Sequence, residues 1–436
     1  MAFSTDTRTL QPGDTYVAIR GETHDGHAFV PQAIAKGAAA LIVEEPVEAP
    51  AGVDVTEVAS SIDHLVALAS TRVRQLGCRT VAITGSVGKT TARTAVVAVL
   101  AQTFAVKGSE GNKNTPLGLS LTLLNADLTP ETVLVLEMGA RIPGDIQELC
   151  DAFPPTVGVV TNVRGVHLET LGSLDGVERE KSEIVRALDA DGTAVLNGDD
   201  PRARRMAGVT AGAVVLYGAL SDCDVRPEHV TADLPILGDH AVFTAMLATA
   251  VGRAFDMDAD AITRGLEAIE PEKGRLRKLP GRGGSTLVDD TYNASPDATR
   301  SALDVLAGLE AERRTAILGD MLELGESEVE EHVAVLRHAL GSADRVWAVE
   351  SPYTIMSRAH AALADDEREQ VELFGSSHDA ARAVRDGRLA LATGDAVLVK
   401  GSQGARMERV SEAVLAPDLN AADVLARQTE QWKAIE

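Results

Sequence analysis

From Arg79 onward the chain alternates short β-branched runs with Ala-rich helical stretches: TVAIT then KTTARTAVVAVLAQ, TVLVLEMG then PGDIQELCDA, TVGVVTNV then LDGVEREKSEIVRALDA, and then GTAVLNGDD. This order predicts βαβ units and a largely parallel sheet covered on both faces. In such a sheet ligands belong at the C-terminal ends of the strands. After the Gly-rich break LPGRGGS a second alternating series begins, with STLVDDTY, RRTAILGD, DRVWAVE, VELFG and DAVLVKGS each followed by a helical pattern. Before Arg79 lies a smaller mixed segment, in which YVAIRG and AALIVEE read as strands and FVPQAIAKG as a helix closed by Gly37. At 436 residues there is room for about three domains, and the breaks place them at 1–78, 79–280 and 281–436.

Within the middle series, TVAITGSVGKTTARTAVVAVL reads as strand, glycine-rich loop and helix, the setting of a P-loop. Backbone N–H groups of Gly85, Ser86, Val87 and Gly88 and the helix start at Lys89, Thr90 and Thr91 then surround phosphate. Lys89 reaches the terminal phosphates, and Thr90 is placed to ligate Mg²⁺. The spacing is the short G-x-x-G-K-T form, since the longer pattern would need Gly where Ile83 stands. The fold class that follows is α/β in three domains: a small mixed α/β N-terminal domain, a central parallel-sheet P-loop domain of ATPase type, and a C-terminal Rossmann-like α/β domain.

Two further polar groups sit at neighbouring strand ends. Glu137 closes LVLEMG, where a Walker-B-type acid would hold Mg²⁺, and His167 in NVRGVHLE follows the next strand onto the same edge. Taken singly, the first reads equally as a solvated carboxylate and the second as surface decoration. Lys181 in EREKSEIV lies on a helix amid acids, and its spacing alone predicts a solvated face with i,i+4 ion pairs.

Composition excludes several classes. With 41 Lys plus Arg against 65 Asp plus Glu, the net charge is −24, so the field repels polyanions and no nucleic-acid or anionic-membrane partner is expected. Cys78, Cys150 and Cys223 are scattered without metal-ligand spacing and fit a reducing compartment. MAFSTDTRTL shows no charged leader or apolar run, so a cytoplasmic location is expected. The most apolar stretch, HAVFTAMLATAVGR, is shorter than the roughly 20 residues of a membrane span and reads as a buried helix.

Taken in order, TGSVGKTT, GNKNTPLG, LEMG, VHLE with EKSEI, LNGDDP, the Gly274–Arg275 pair, DDTYNASPD, LGDMLELGE with His332, and LVKGSQG resemble the motifs of the Mur ligases, the ATP-dependent enzymes that build the peptidoglycan precursor. LGDMLELGE followed by VKGS is the signal most specific to the member that adds D-alanyl-D-alanine. TDTRTLQPGDTYVAIRGETHDGHAF resembles the family's uridine-nucleotide domain, which makes 1–78 a UDP-substrate-binding domain, 79–280 the ATP-binding domain and 281–436 the closing domain.

The resemblance implies an ATP-dependent ligase that joins D-alanyl-D-alanine to UDP-N-acetylmuramoyl-tripeptide through an acyl phosphate, acting as a monomer without membrane or nucleic acid. It implies Lys89, Glu137, His167 and Lys181 as catalytic residues, and Thr90, Glu137, His167 and Lys181 as holders of two Mg²⁺ ions, with Lys181 carried as N6-carboxylysine. Arg275, Asp290, Tyr292 and Asn293 would join the P-loop around ATP across a hinge near Gly281 to Gly284. Asp6, Thr7, Arg8, His27, Asn112, Asn114, Thr115, Lys400, Ser402 and Arg406 would bind the other substrates. Lys113 and Arg164, with Arg275, Lys400 and Arg406, would supply the local positive charge. The chain departs from the family pattern at GDHAVFT, where Ala241 and Thr244 replace asparagines, and in the short interval from Pro201 to Gly238. Two other readings stand beside this one: a Mur-type ligase adding a different amino acid to a related cell-envelope precursor, and a P-loop nucleotide-binding regulator.

Overall fold

The computed structural model describes residues 2–21, 24–109, 111, 113–165, 168–238 and 240–433. The chain divides into two compact units, one of residues 1–233 with 242–269 and one of residues 234–241 with 270–436. The first unit carries two sheets and the second carries one.

The N-terminal sheet is parallel throughout, in the order β1 (Phe3–Ser4), β2 (Thr15–Val17), β3 (Ala40–Val43), β4 (Asp54–Glu57). Strand alternation sends Tyr16, Leu41 and Val43 to one face, against Val30 and Ala33 of the helix Val30–Ala35, while Val17 and Ile42 meet Leu65 on the other. Leu65 belongs to the helix Ser61–Leu76, begun by the Ser60 side chain accepting from Asp63 N and ended by Gly77 at φ 70°. The same cluster takes in Leu117, Leu121 and Leu124, and Arg72 donates to the carbonyls of Leu123, Leu124 and Ala126 at 2.8–3.0 Å. These contacts, with Phe3 N donating to Asn125 Oδ1 at 2.7 Å and Ala69 and Val73 packed into the middle-sheet cluster, fasten the first sheet to the second.

The middle sheet is also parallel. Its strands are β5 (Arg79–Thr84), β6 (Val106–Gly108), β7 (Val133–Glu137), β8 (Val157–Val160), β9 (Thr193–Asn197) and β10 (Ala213–Tyr217), in the spatial order β10-β9-β8-β5-β7-β6. β5 is the pivot, with β7 on one side and β8 on the other, so the ends of these three strands open onto one edge. Leu134, Leu136 and Leu196 pack with Leu119, Leu149 and Ile184 in one buried cluster. The short interval after Pro201 supplies the edge strand β10, and HAVFTAMLATAVGR forms the helix His240–Ala254 with Ala245, Met246, Ala248 and Val251 buried, as its composition predicts.

In the second unit the sheet order is β11 (Arg277–Pro280), β12 (Thr286–Asp290), β16 (Asp395–Lys400), β13 (Arg313–Gly319), β14 (Arg345–Val349), β15 (Val371–Phe374), parallel except for the β11–β12 pair. Val397 and Val399 face one core and Leu398 the other, so both faces are covered. The expected hinge at Gly281 to Gly284 is instead the turn of the β11–β12 hairpin: Gly281 N donates to Ser285 O at 2.7 Å, and Gly283 and Gly284 take φ values of 67° and 81°. The turn is held by the ladder register, and the chain passes between the units at Asp233–Leu234, Ala241–Val242 and Ile269–Glu270. Among the described residues no helix is long and apolar enough to cross a membrane.

Candidate active site

The loop Gly85–Gly88 runs from β5 into the helix Lys89–Leu100, as strand–loop–helix spacing predicts. Gly85 stands at φ 149°, and a Cβ there would lie 1.9 Å from Thr161 Oγ1; Gly88 caps the helix at φ 83°. Both positions therefore demand glycine. Lys89 Nζ curls over the loop and donates to Gly85 O at 2.8 Å. First-turn N–H groups of the helix have no intrahelical partner, and with the helix dipole they form an anion-binding end.

The loop is braced from β8. Asn162 pairs with both backbone polar groups of Val87: Oδ1 accepts from Val87 N at 3.0 Å and Nδ2 donates to Val87 O at 2.9 Å. Thr161 Oγ1 donates to Val87 O at 2.7 Å, Ser86 N donates to Asn162 O at 3.0 Å, and Arg164 N donates to Ser86 Oγ at 2.8 Å. These contacts hold the loop tip through the protein's own groups. The alternation reads TNV as part of the strand run TVGVVTNV, whereas β8 ends at Val160 and Asn162 follows it; that place at a strand end is the signal that could have marked it.

Glu137 ends β7 beside the helix start and is only 4% exposed. Its Oε2 accepts from Thr90 Oγ1 at 2.9 Å, its Oε1 from Asn114 Nδ2 at 3.1 Å, and its own N–H donates to Ser109 Oγ at 3.1 Å. Asn114 is brought close because Gly139 leaves room: a Cβ there would stand 2.9 Å from Asn114 Nδ2. Thr115 caps the helix Pro116–Leu124 through Gly118 N. Behind this loop the buried Arg93 donates to Gly111 O at 3.0 Å. Thr90 and Glu137 are hard oxygen donors side by side, a set that suits Mg²⁺, which keeps waters and phosphate oxygens in its remaining positions. Among the described residues there is no larger His, Cys, Asp or Glu cluster for a metal.

Lys181 corrects the reading from spacing. It is 2% exposed on the helix Leu174–Arg186, and the neighbouring acids serve other partners. Glu180 accepts from Gly144 N and Ile146 N at 2.8 and 3.0 Å, Glu183 from Gln147 N, and Glu178 pairs with Arg202 and Arg205. Burial, seconded by the positive charge of Lys89 and opposed by Glu180, lowers the Lys181 amine to about 8. An amine so placed reaches its neutral, nucleophilic form near neutral pH.

The second unit gathers its own set. Lys400 Nζ donates to Asp290 Oδ2 at 2.6 Å and to Asn293 O at 3.0 Å, and Leu276 N donates to Asp290 Oδ1. Ser402 Oγ accepts from Leu322 N at 2.9 Å, and Arg406 Nε donates to Glu408 Oε1 at 2.6 Å. Lys400, Ser402 and Arg406 are buried, whereas Asn293 is exposed and Arg275 and Tyr292 are half-buried. Gly274, at φ 75°, lets its carbonyl accept from Tyr292 N at 2.9 Å, and Arg275 lies over the Tyr292 ring at 4.3 Å. His332 is buried and structural: its Nε2 accepts from Met321 N at 2.8 Å and its Nδ1 bonds Glu328 O.

On the N-terminal sheet, Asp6 and Arg8 form an exposed two-pronged pair at 2.7–3.0 Å, and Arg8 holds the Asp6 carboxyl below its ordinary range. Thr7 Oγ1 donates to Gln32 Oε1 at 2.9 Å. His27 is buried with both ring nitrogens engaged: Nε2 accepts from Glu44 N at 2.8 Å and Nδ1 donates to Asp25 Oδ1 at 2.6 Å. Asn112 and His167 lie outside the described residues. Thr244 is buried and Ala241 has no polar side-chain atom, so this helix start offers no paired amides.

Comparison with known proteins accounts for this arrangement. Residues 2–80 match the Mur ligase family catalytic domain, 83–252 the Mur ligase middle domain, and 274–403 the glutamate ligase domain of the Mur ligases. The chain is 31% identical to the UDP-N-acetylmuramoyl-tripeptide--D-alanyl-D-alanine ligase of Bacillus subtilis strain 168, over 96% of this chain and 93% of that protein. A crystal structure of MurF from Acinetobacter baumannii superposes with a TM-score of 0.84 at 28% identity, covering 94% of this chain and 92% of that one. MurF ligase from Thermotoga maritima in complex with ADP gives 0.77 at 28% identity, covering 94% and 96%. A phosphate loop, its strand-end acid and three matched domains in one order leave a single assignment: the chain belongs to the Mur ligase family.

Proposed function

We propose that this chain is the ATP-dependent ligase that joins D-alanyl-D-alanine to UDP-N-acetylmuramoyl-tripeptide in the cytoplasm, as a monomer. The observation that carries it is the Thr90–Glu137 pair at the head of the phosphate loop, in a chain matched along nearly its whole length by a ligase of that name. A carboxylate does not acylate an amine in water because its oxygen is a poor leaving group. The tripeptide's terminal carboxylate attacks the γ-phosphorus of ATP, the bond to the bridging oxygen breaks, and ADP leaves with an acyl phosphate behind. The dipeptide amine then adds to the acyl carbon, gives up a proton and expels inorganic phosphate.

This chain's residues bind and orient these groups. The Gly85–Gly88 backbone and the first turn at Lys89, Thr90 and Thr91 cradle the phosphates, and Lys89 offsets negative charge on the transferred group. Mg²⁺, held through Thr90 and Glu137 with His167 and Lys181 at a second ion, would neutralise phosphate charge. Lys181 would serve as N6-carboxylysine, an anionic oxygen donor made from CO₂; its lowered pKa supports that reading. Arg275, Asp290, Tyr292 and Asn293 would contact the nucleotide; Asp6, Thr7, Arg8 and His27 the uridine nucleotide; and Asn112, Asn114, Thr115, Lys400, Ser402 and Arg406 the peptide substrates. Asp290, Lys400 and Arg406 would act from within the pairs described above, so their first role is to shape the surface that Asn293 and Tyr292 present.

Phosphate release tests the proposal. It should require ATP, the UDP-linked tripeptide and D-alanyl-D-alanine together, and ¹⁸O placed in the tripeptide's terminal carboxylate should appear in the released phosphate. Turnover with a single amino acid would instead identify a ligase of different specificity, and ATP binding without acceptor-dependent turnover a regulator.

A further inference from the structure

The segment after β16 returns across the edge of the second unit's sheet and lays its own side chains on the motif residues. Arg427, at φ 54° and with a side chain 6% exposed, donates to Thr291 O at 2.9 Å and also to Tyr292 O. Its guanidinium lies 5.0 Å from the centroid of the Tyr292 ring, on which Arg275 also sits at 4.3 Å. Cation–ring attraction of this kind is worth most when the cation is desolvated, as Arg427 is. Arg427 further approaches Glu408 Oε2 to 3.9 Å, while Glu408 Oε1 holds Arg406. Trp432 completes the contact: its carbonyl accepts from Arg406 Nη2 at 2.6 Å, and its ring faces both arginines. The segment is anchored on the way, since Ala422 O accepts from Lys273 Nζ at 2.8 Å and Val424 O from Arg277 Nη1 at 3.3 Å.

We infer that Arg427 is a positioning residue for nucleotide use, acting through Tyr292. The inference rests on the nucleotide role proposed above for Tyr292. Both guanidiniums lie over the Tyr292 ring, at 4.3 and 5.0 Å from its centroid, and so fix where the ring stands. Arg427 also bonds the carbonyls of Thr291 and Tyr292, which fixes the backbone that carries the ring. A lysine at 427 keeps the charge but lacks the planar fork that reaches both carbonyls and stacks on the ring.

The test is a double-mutant cycle on the full chain, with Arg427→Ala, Tyr292→Ala and the pair, read as KM for ATP, KM for each acceptor and kcat. Arg427→Ala should raise KM for ATP about tenfold, the effect of one desolvated cation–ring contact together with its carbonyl bonds, and leave both acceptor KM values within about twofold. Adding it to Tyr292→Ala should then bring little further loss, because residues acting as one unit are not additive. The inference is overturned if KM for ATP is unchanged, if all three KM values rise together with a lower thermal midpoint, or if the two effects multiply. If Arg427→Ala does not fold, Arg427→Lys carries the same cycle with a smaller shift. A wild-type chain without acceptor-dependent turnover would refute the proposed activity instead, which separates the two outcomes.

Discussion

Glu137 Oε2 accepts a hydrogen bond from Thr90 Oγ1 at 2.9 Å, joining the end of β7 to the first turn of the phosphate-loop helix. Under the proposed function this buried carboxylate is one of the Mg²⁺ holders. Glu137→Gln should keep the packing, because the amide oxygen can accept from Asn114 while the Thr90 hydroxyl turns to accept from the amide nitrogen. With the charge removed, the Mg²⁺ concentration for half-maximal phosphate release should rise about 10- to 100-fold without a marked change in thermal midpoint. An unchanged Mg²⁺ requirement would remove Glu137 from the metal site.

Lys181→Ala should reduce turnover at least about a hundredfold, and short carboxylates such as formate should restore part of it by standing in for a carbamate. Full activity in that variant would exclude a role for Lys181. The pH dependence follows from the lowered amine, with its pKa near 8. After CO₂ is stripped and then restored at fixed concentration, only the neutral amine reacts. The reactivation rate should climb about tenfold per pH unit below 8 and level off above it. A rate flat from pH 6 to 8 counts against carbamate formation.

Asn162→Ala removes both side-chain bonds to the Val87 backbone. At about 1 kcal/mol per hydrogen bond, partly offset by water, KM for ATP should rise about 5- to 10-fold while KM for the UDP-linked substrate stays put. Asn162→Asp should be worse, since a carboxylate oxygen would face Val87 O and add negative charge beside phosphate. Equal effects on both KM values would mean that Asn162 supports the domain and not the loop.

Asp289 is fully buried, with Oδ1 accepting from Thr291 and Ser411. Burial raises its carboxyl from 3.8 to about 6. Between these values the native state holds a proton that the unfolded chain has lost, so stability falls as pH rises from about 4 to about 6, and the cost is full above that. Asp289→Asn should therefore stabilise by on the order of 2 kcal/mol at pH 7.5 and by little at pH 4. Thermal midpoints of both proteins across this range check it, and a pH-independent difference would refute it.

Much of the fold was legible because buried parallel strands must be continuous apolar runs and their connecting helices must be long enough to cross the sheet. β5, β7, β8 and β9 and the helices Lys89–Leu100, Asp145–Ala152 and Leu174–Arg186 fall where the alternation places them, whereas the helix Pro116–Leu124 does not appear in it. The short strands β1, β4, β6, β10 and β11 escaped because two to five residues at a sheet edge carry too little periodicity to stand out. The Gly281–Gly284 stretch misled for a related reason: a glycine-rich hairpin turn and a glycine-rich linker share a composition, and only the β11–β12 register tells them apart.

The phosphate loop, its helix and the acid at the next strand end were determined by local order, since glycine spacing and strand-to-helix succession leave few alternatives. Tertiary structure alone decided the burial of Lys181, whose neighbouring acids turn away to cap the helix Asp145–Ala152 and to pair with Arg202 and Arg205. It alone brought Asn162 to Val87 and Arg427 to Tyr292 across 75 and 135 positions of chain. Desolvation and pairing depend on what lies beside a side chain in space, and no periodicity within a single strand or helix carries that information.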